Sequence, residues 1–155
     1  MRHSAYGWPA EILAASATPY DERGEALPRG GPLFSELAAA GLQTTPADLG
    51  RFAEASLVRV KPLVLAAETL ALMQTPAPAS PEYGLGYEVR RERGVLLVGH
   101  GGANDGWMAR LSLAPESGDG IVILTNGSNG QAVIRVLERV WLEHVAARSA
   151  SAASR

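Results

Sequence analysis

The chain changes its hydrophobic period part-way along, and the change predicts helices first and strands afterwards. In "LQTTPADLGRFAEASL", Leu49, Phe52, Ala53 and Leu57 recur on one helical face. Thr45 fits an N-cap, Pro46 the first helical position, and Asp48 a capping-box partner. A second helix is expected over about Leu65 to Gln74, ending before Thr75-Pro76, and "TPAPASPE" then reads as a Pro-rich connector. From Tyr83 the period is two. "YGLGYEV" and "GVLLVGH" are strand-like, with glycines that allow close neighbours. In "WMARLSLAP", Trp107, Ala109, Leu111 and Leu113 share one face, and Met108, Arg110 and Ser112 the other. "PESGDG" makes a hairpin turn. "GIVILTN" is apolar throughout, as expected of a central strand covered on both faces. Ser128 or Asn129 is expected to cap a closing helix through about Ala147, whose core stripe is Val133, Val136, Leu137, Val140, Trp141 and Val145.

Residues 1 to 32 carry turn formers (Pro19, Asp21, Gly24, Pro28, Gly30, Gly31, Pro32) and little periodicity, and read as a segment that wraps over something else. The tail "ARSASAASR" is small and polar and is expected to fray, which places the ordered domain at 1–148 and a disordered tail at 149–155. The order of elements gives an α+β class: an antiparallel sheet with packed helices.

Composition narrows the chemistry. The chain has 155 residues, 46% of them hydrophobic and 19% charged, which suits one domain with a real core. A net charge of -2 and no basic patch speak against nucleic acid as a partner. There are no cysteines, so disulfides, thiolate nucleophiles and Cys-based zinc sites are excluded. The histidines, His3, His100 and His144, lie far apart and form no ligand pair, so neither a metal nor another cofactor is expected. No apolar run reaches the roughly 20 residues that span a bilayer. The opening "MRHSAYGWPAEILAAS" has no sustained apolar core and does not read as a secretory signal, so the chain as written is expected to be soluble and cytoplasmic.

One stretch stands out: "VLLVGHGGANDGWMARL", from Val95 to Leu111, sets His100 among Gly99, Gly101 and Gly102. A dinucleotide fingerprint is excluded, because Asn104 stands where the third glycine belongs and the residues that follow alternate like a strand. Two readings remain. One is a glycine-rich hairpin with a surface histidine. The other is a strip of bare backbone against which a ligand can lie, with strand amides to hold an oxyanion and His100 to donate, accept or carry charge.

"AAAGLQTTPADLGRFAEASL", "ETLALMQTP", "YGLGYEV" and "VGHGGANDGWMARLSLAPESGDGIVILTNGSNG" occur in the order and spacing of the serine beta-lactamase-like family, which includes class C beta-lactamases, penicillin-binding proteins, D-aminopeptidases and beta-lactamase-fold esterases. The resemblance runs to about Val145. It implies a partial beta-lactamase/transpeptidase-like fold. It implies that His100-Gly101-Gly102 is the family's third motif, on the strand that walls the active site. By the same resemblance His100 holds substrate or tunes the proton network, the amide of Ala103 forms half an oxyanion hole, and Gly101, Gly102 and Asn104 line the substrate.

The chain departs from the family in lacking Ser-x-x-Lys and Tyr-x-Asn. Ser56-Leu57-Val58-Arg59 comes nearest, but it ends in an arginine that stays protonated. None of Tyr6, Tyr20, Tyr83 and Tyr87 begins a Tyr-x-Asn. The expectation is therefore the C-terminal portion of a serine hydrolase, inactive alone. Its partners are a missing N-terminal half or a second copy and, once completed, a small-molecule ester or amide: beta-lactam, D-amino peptide or simple ester. The alternative is a non-catalytic remnant that acts as a binding module. Other prominent residues have plain readings: Trp107 and Trp141 in the core, Asn126-Gly127 as a strand-end turn, Asn104-Asp105-Gly106 as a turn at the lip, and His3 and His144 on the surface.

Overall fold

A computed structural model describes residues 1–31, 34–58 and 64–153. In chain order the elements are β1 (Ala5–Tyr6), α1 (Ala10–Ala15), α2 (Leu37–Ala40), β2 (Leu42–Gln43), α3 (Pro46–Ser56), α4 (Ala67–Met73), β3 (Glu88–Glu92), β4 (Val95–Asn104), β5 (Trp107–Ala114), β6 (Asp119–Thr125) and α5 (Gly130–Ala153). β3 to β6 form a four-stranded antiparallel meander in the order β3-β4-β5-β6. Its turns fall where the backbone needs positive φ: Arg93 and Gly94 (51° and 80°), Gly106 (79°) and Gly118 (70°).

The meander is covered on both faces. On one, Ala53 of α3 meets Tyr87, Val89, Val98, Leu111 and Leu113, with Leu57 and Val122 packed beside them. On the other, Leu142 and Val145 of α5 meet Val95, Leu97 and Ala114. A polar cluster is built into that second layer. Oε1 of Glu138 accepts from Arg90 Nη2 (2.7 Å), Arg110 Nε (3.0 Å) and the hydroxyl of fully buried Ser112. Arg110 also gives Nη1 to Glu88 at 2.5 Å. These acids hold their charge because desolvation, which pushes their pKa up, is outweighed by donors that bring it below the ordinary value.

Local signals near Thr45 behave as the sequence suggests, with one change. The Thr45 hydroxyl accepts from the Asp48 amide at 3.2 Å, and Pro46 opens the helix. The Asp48 carboxylate does not return to Thr45. It is fully buried, and its Oδ2 accepts from the His3 amide (2.7 Å) and the Ser4 hydroxyl (2.8 Å), which ties down β1. Burial pushes the Asp48 pKa up, but these donors and the nearby N-terminus hold it well below the usual carboxylate range.

The opening residues are more ordered than their composition suggests. β1 pairs with β2, α1 is helical, and the strand and helix both lie within 1–32. Thr18 to Leu27 then crosses the far end of the meander as a strap. The Tyr20 amide donates to Asn126 O at 2.9 Å, the Ser128 amide to Tyr20 O at 2.9 Å, and Asn129 Nδ2 to Glu22 O at 2.7 Å. α5 opens at Gly130, directly after Asn129, whose carbonyl accepts the Ala132 amide at 3.1 Å, and the Ser128 hydroxyl accepts the Gly106 amide at 2.8 Å.

Two assignments of faces are corrected. On α5 the buried hydrophobic side chains are Ile134, Leu142 and Val145, with Trp141 half-buried, whereas Val133, Val136, Leu137 and Val140 are 51%, 50%, 45% and 56% exposed. The helix carries two apolar stripes, and periodicity alone does not say which one meets the sheet. Glu138 decides it, because its acceptor oxygen must face Arg90, Arg110 and Ser112. β6 is covered on both faces as expected, but among the described residues no strand pairs with its outer edge, so it is an edge strand. α5 also continues to Ala153, through most of the segment expected to fray, since its alanines favour helix.

The Asp48 carboxylate makes a pH prediction. Its folded pKa lies below the unfolded value of about 3.9, so its stabilisation is fully present above that value and is lost as pH falls through and below it. Asp48→Asn should lower the melting temperature at pH 7 and narrow its fall between roughly pH 5 and pH 2. A variant whose melting curve parallels the parent's across that range would disprove this role.

Candidate functional site

The glycines around His100 are not a turn. β4 runs unbroken from Val95 to Asn104, with His100, Gly101 and Gly102 opposite Leu111, Arg110 and Ala109 of β5. The turn comes later, at Asp105-Gly106. On its other side β4 pairs with β3 only from Val95 to Gly99. Beyond Gly99 that edge is open among the described residues, so alternate amides from His100 to Asn104 face away from any strand.

The glycines have different reasons to be there. A Cβ on Gly99 would overlap the Leu111 carbonyl, so the fold itself requires that residue. On Gly101 a Cβ would meet Arg110 Nη1 at 3.5 Å, and on Gly102 it would meet only the Ala109 Cβ at 3.5 Å. Those are ordinary contacts. Among the described residues nothing demands bare backbone at Gly102, which lies exposed on the same face as His100.

Strand alternation splits the five expected site residues. His100, Gly102 and Asn104 present one face, and Gly101 and Ala103 the other. His100 and Ala103 are exposed and Asn104 is half-buried. His100 Nδ1 lies 2.6 Å from the Gly101 carbonyl oxygen and so must carry the hydrogen, which leaves Nε2 as the nitrogen available to another group. The lip beyond is held by the strap. Gly106 is buried against Pro19 and Leu27, and Trp107 packs on Trp8 at 6.4 Å between ring centroids.

Three residues that sequence reasoning left without a role also gather here. The Tyr83 ring meets His100 edge-on at 6.2 Å, its hydroxyl lies 3.4 Å from Glu88 Oε1, and Glu88 Oε2 holds Arg110. The signal for them was a charge in an apolar strand: Arg110 sits mid-β5, where an unpaired cation is costly and must find acids. Ser56, the serine nearest to a Ser-x-x-Lys, is buried in the core and bonded to the Tyr87 hydroxyl at 2.8 Å. Arg59, and Lys61, the chain's one lysine, lie outside the described residues.

The family model described as Beta-lactamase matches residues 1–145. The chain belongs to the beta-lactamase family. No curated protein sequence matches it. Among solved structures it is similar to a class C beta-lactamase, with 23% identity and a TM-score of 0.68 over 86% of this chain and 45% of that one. It is similar to an octameric penicillin-binding protein homologue from Pyrococcus abyssi, at 24% identity and a TM-score of 0.64, over 81% of this chain and 30% of that one. It is also similar to a penicillin-binding protein from Bacillus halodurans, at 21% identity and a TM-score of 0.62, over 86% of this chain and 44% of that one. The beta-lactamase-family chain thus spans less than half the length of these structures and shares their fold. Among its described residues no helix is long and apolar enough to cross a membrane.

The division among the glycines is testable by urea denaturation. Gly99→Ala should cost about 1–3 kcal/mol by overpacking. Gly101→Ala and Gly102→Ala should stay within about 0.5 kcal/mol of the parent, since each Cβ meets only ordinary contacts. Equal losses at all three positions would contradict it.

Proposed function

We propose that this chain provides the substrate wall of a serine hydrolase, acting on a small-molecule ester or amide with a nucleophile from outside these residues. The observation that supports it is the unpaired edge of β4 at His100–Asn104, beside the bare backbone of Gly102. An acyl substrate laid on that edge as an added strand would bring its carbonyl to the Ala103 amide. When the nucleophile's oxygen bonds to the carbonyl carbon, the π pair moves to the carbonyl oxygen. A fixed N–H donor then stabilises that charge more than it stabilises the ground state. His100 Nε2 is the group placed to hold substrate or exchange a proton with it. Beta-lactam, D-amino peptide and simple ester all present such a carbonyl.

The remainder of a family-length domain is the occupant we propose for the apolar stripe Val133, Val136, Leu137 and Val140 and for the outer edge of β6. The class C structure has more than half its length beyond what this chain spans. Both surfaces are of the kind that recruit cover, one by apolar area and one by unpaired strand amides.

A second reading, a binding module without catalysis, draws on the burial of Ser56, which leaves the Ser-x-x-Lys-like stretch without an available nucleophile.

The isolated chain should show no serine labelling by a fluorophosphonate or penicillin probe and no turnover of a chromogenic ester. Joined by a segment bearing Ser-x-x-Lys from a family relative, it should become active. Gly102→Val should then abolish binding and turnover. His100→Ala should lower kcat/KM by about 10²-fold, and His100→Lys should retain more activity than alanine. If both Gly102→Val and His100→Ala stay within about twofold of the parent, less than 0.5 kcal/mol, the substrate-wall reading fails and the binding module stands.

Alone, the chain should also self-associate through the α5 stripe. In sedimentation velocity Val136→Glu with Val140→Glu should return it to monomer. A parent chain that stays monomeric on concentration, with no binding of a hydrophobic dye, would rule this out.

A further inference from the structure

Arg110, Glu88 and Tyr83 form a continuous chain of contacts that ends on His100, and neutralising Arg110 does not require all of it. Glu138 and Glu88 already do that, at 3.0 and 2.5 Å. Yet Glu88 is also the first residue of β3, opposite Gly99, where β4 loses its partner. Its second oxygen is the one the Tyr83 hydroxyl approaches at 3.4 Å, and Tyr83 places its ring edge-on to His100 at 6.2 Å. We propose that Glu88, anchored by Arg110 and relayed through Tyr83, is the positioning residue for His100.

Two consequences give this content. The first is orientation. With Nδ1 committed to the Gly101 carbonyl and the imidazole in T-shaped contact with Tyr83, the ring is restrained and Nε2 is the nitrogen left to meet a substrate. The second is charge. After burial, which raises the Glu88 pKa, the influences on it are the Arg110 hydrogen bond and charge and then the charge of His100, which lower it. Glu88 is thereby held ionised close to the imidazole. The groups beside His100 are Glu88 from β3, Tyr83 from the segment before it, and Leu111, its partner on β5; Arg110 lies on the other face, opposite Gly101, and is paired to two acids. The tie continues through Arg110 to Glu138, so the same cluster that seats α5 also braces the histidine.

The inference takes its interest from His100 being a site residue, but its test does not depend on that. The His100 ring of the ¹⁵N- and ¹³C-labelled chain is followed by NMR at fixed pH, with His3 and His144 as internal references. In Glu88→Gln the two ring ¹⁵N shifts of His100 should change, because the carboxylate that the Tyr83 hydroxyl meets is gone and Tyr83 no longer restrains the ring. The other two histidines should not move. In Tyr83→Ala, a change at a residue 41% exposed, the two ring ¹⁵N shifts of His100 should move toward those of a freely tautomerising imidazole. His100 ring shifts that match the parent in Glu88→Gln would overturn the proposal. If Glu88→Gln fails to fold, unchanged ring shifts in Tyr83→Ala would overturn it. Changed His100 ring shifts in Glu88→Gln together with a silent His100→Ala in the completed hydrolase would sink the substrate-wall reading and leave this inference intact.

Discussion

One carboxylate oxygen of Glu138 gathers donors from β3, from β5 and from the hydroxyl of a fully buried serine. The arrangement constrains everything around it. Two arginines beneath a helix are tolerable only if acids reach them, and removing one partner of such a cluster leaves a partly desolvated charge stranded. The rotation of α5 about its axis is therefore set by Glu138. That rotation sends Ile134, Leu142 and Val145 into the sheet and turns Val133, Val136, Leu137 and Val140 outward. Apolar packing supplies the area, and the polar cluster chooses between two faces that are both apolar enough.

The same cluster explains why β4 can carry so little side chain. A strand with Gly99, Gly101 and Gly102 loses the packing that normally holds a central strand, and glycine adds an entropic cost. Arg110 fills the space below Gly101. Leu97 and Val98, just upstream, are nearly inaccessible and anchor the strand in both layers. With those supports, the exposed end of β4 keeps its pairing to β5 and still leaves one edge free.

Much of this was legible in the sequence because it is local. Thr45-Pro46 announces a helix start, the alternation of Trp107 to Leu113 gives both faces of β5, and the third motif gives the family. What was hidden depends on partners distant along the chain. Asp48 looked like a capping-box acid, yet His3 and Ser4, more than forty residues earlier, claim its oxygens. Periodicity gives α5 the right spacing and partly the wrong side, since spacing cannot tell two apolar faces apart. The glycines by themselves fit a turn as well as a bare strand edge, and it is the register with β5 that makes them strand. Tyr83, Glu88 and Arg110 meet across two strands and a loop, and no spacing along the chain encodes that meeting.

The strap from Thr18 to Leu27 has a consequence for the order in which the molecule assembles. Its Asn126 and Asn129 side-chain bonds close loops of 108 and 107 residues, whereas the meander is stitched by neighbouring hairpins. Closing a long loop costs entropy before any contact rewards it. The hairpins can form first and give the strap a surface to dock on. The lip at Gly106, wedged between Pro19 and Leu27, is then among the last parts to become rigid and the first to loosen, while β4 and β5 beneath it stay paired.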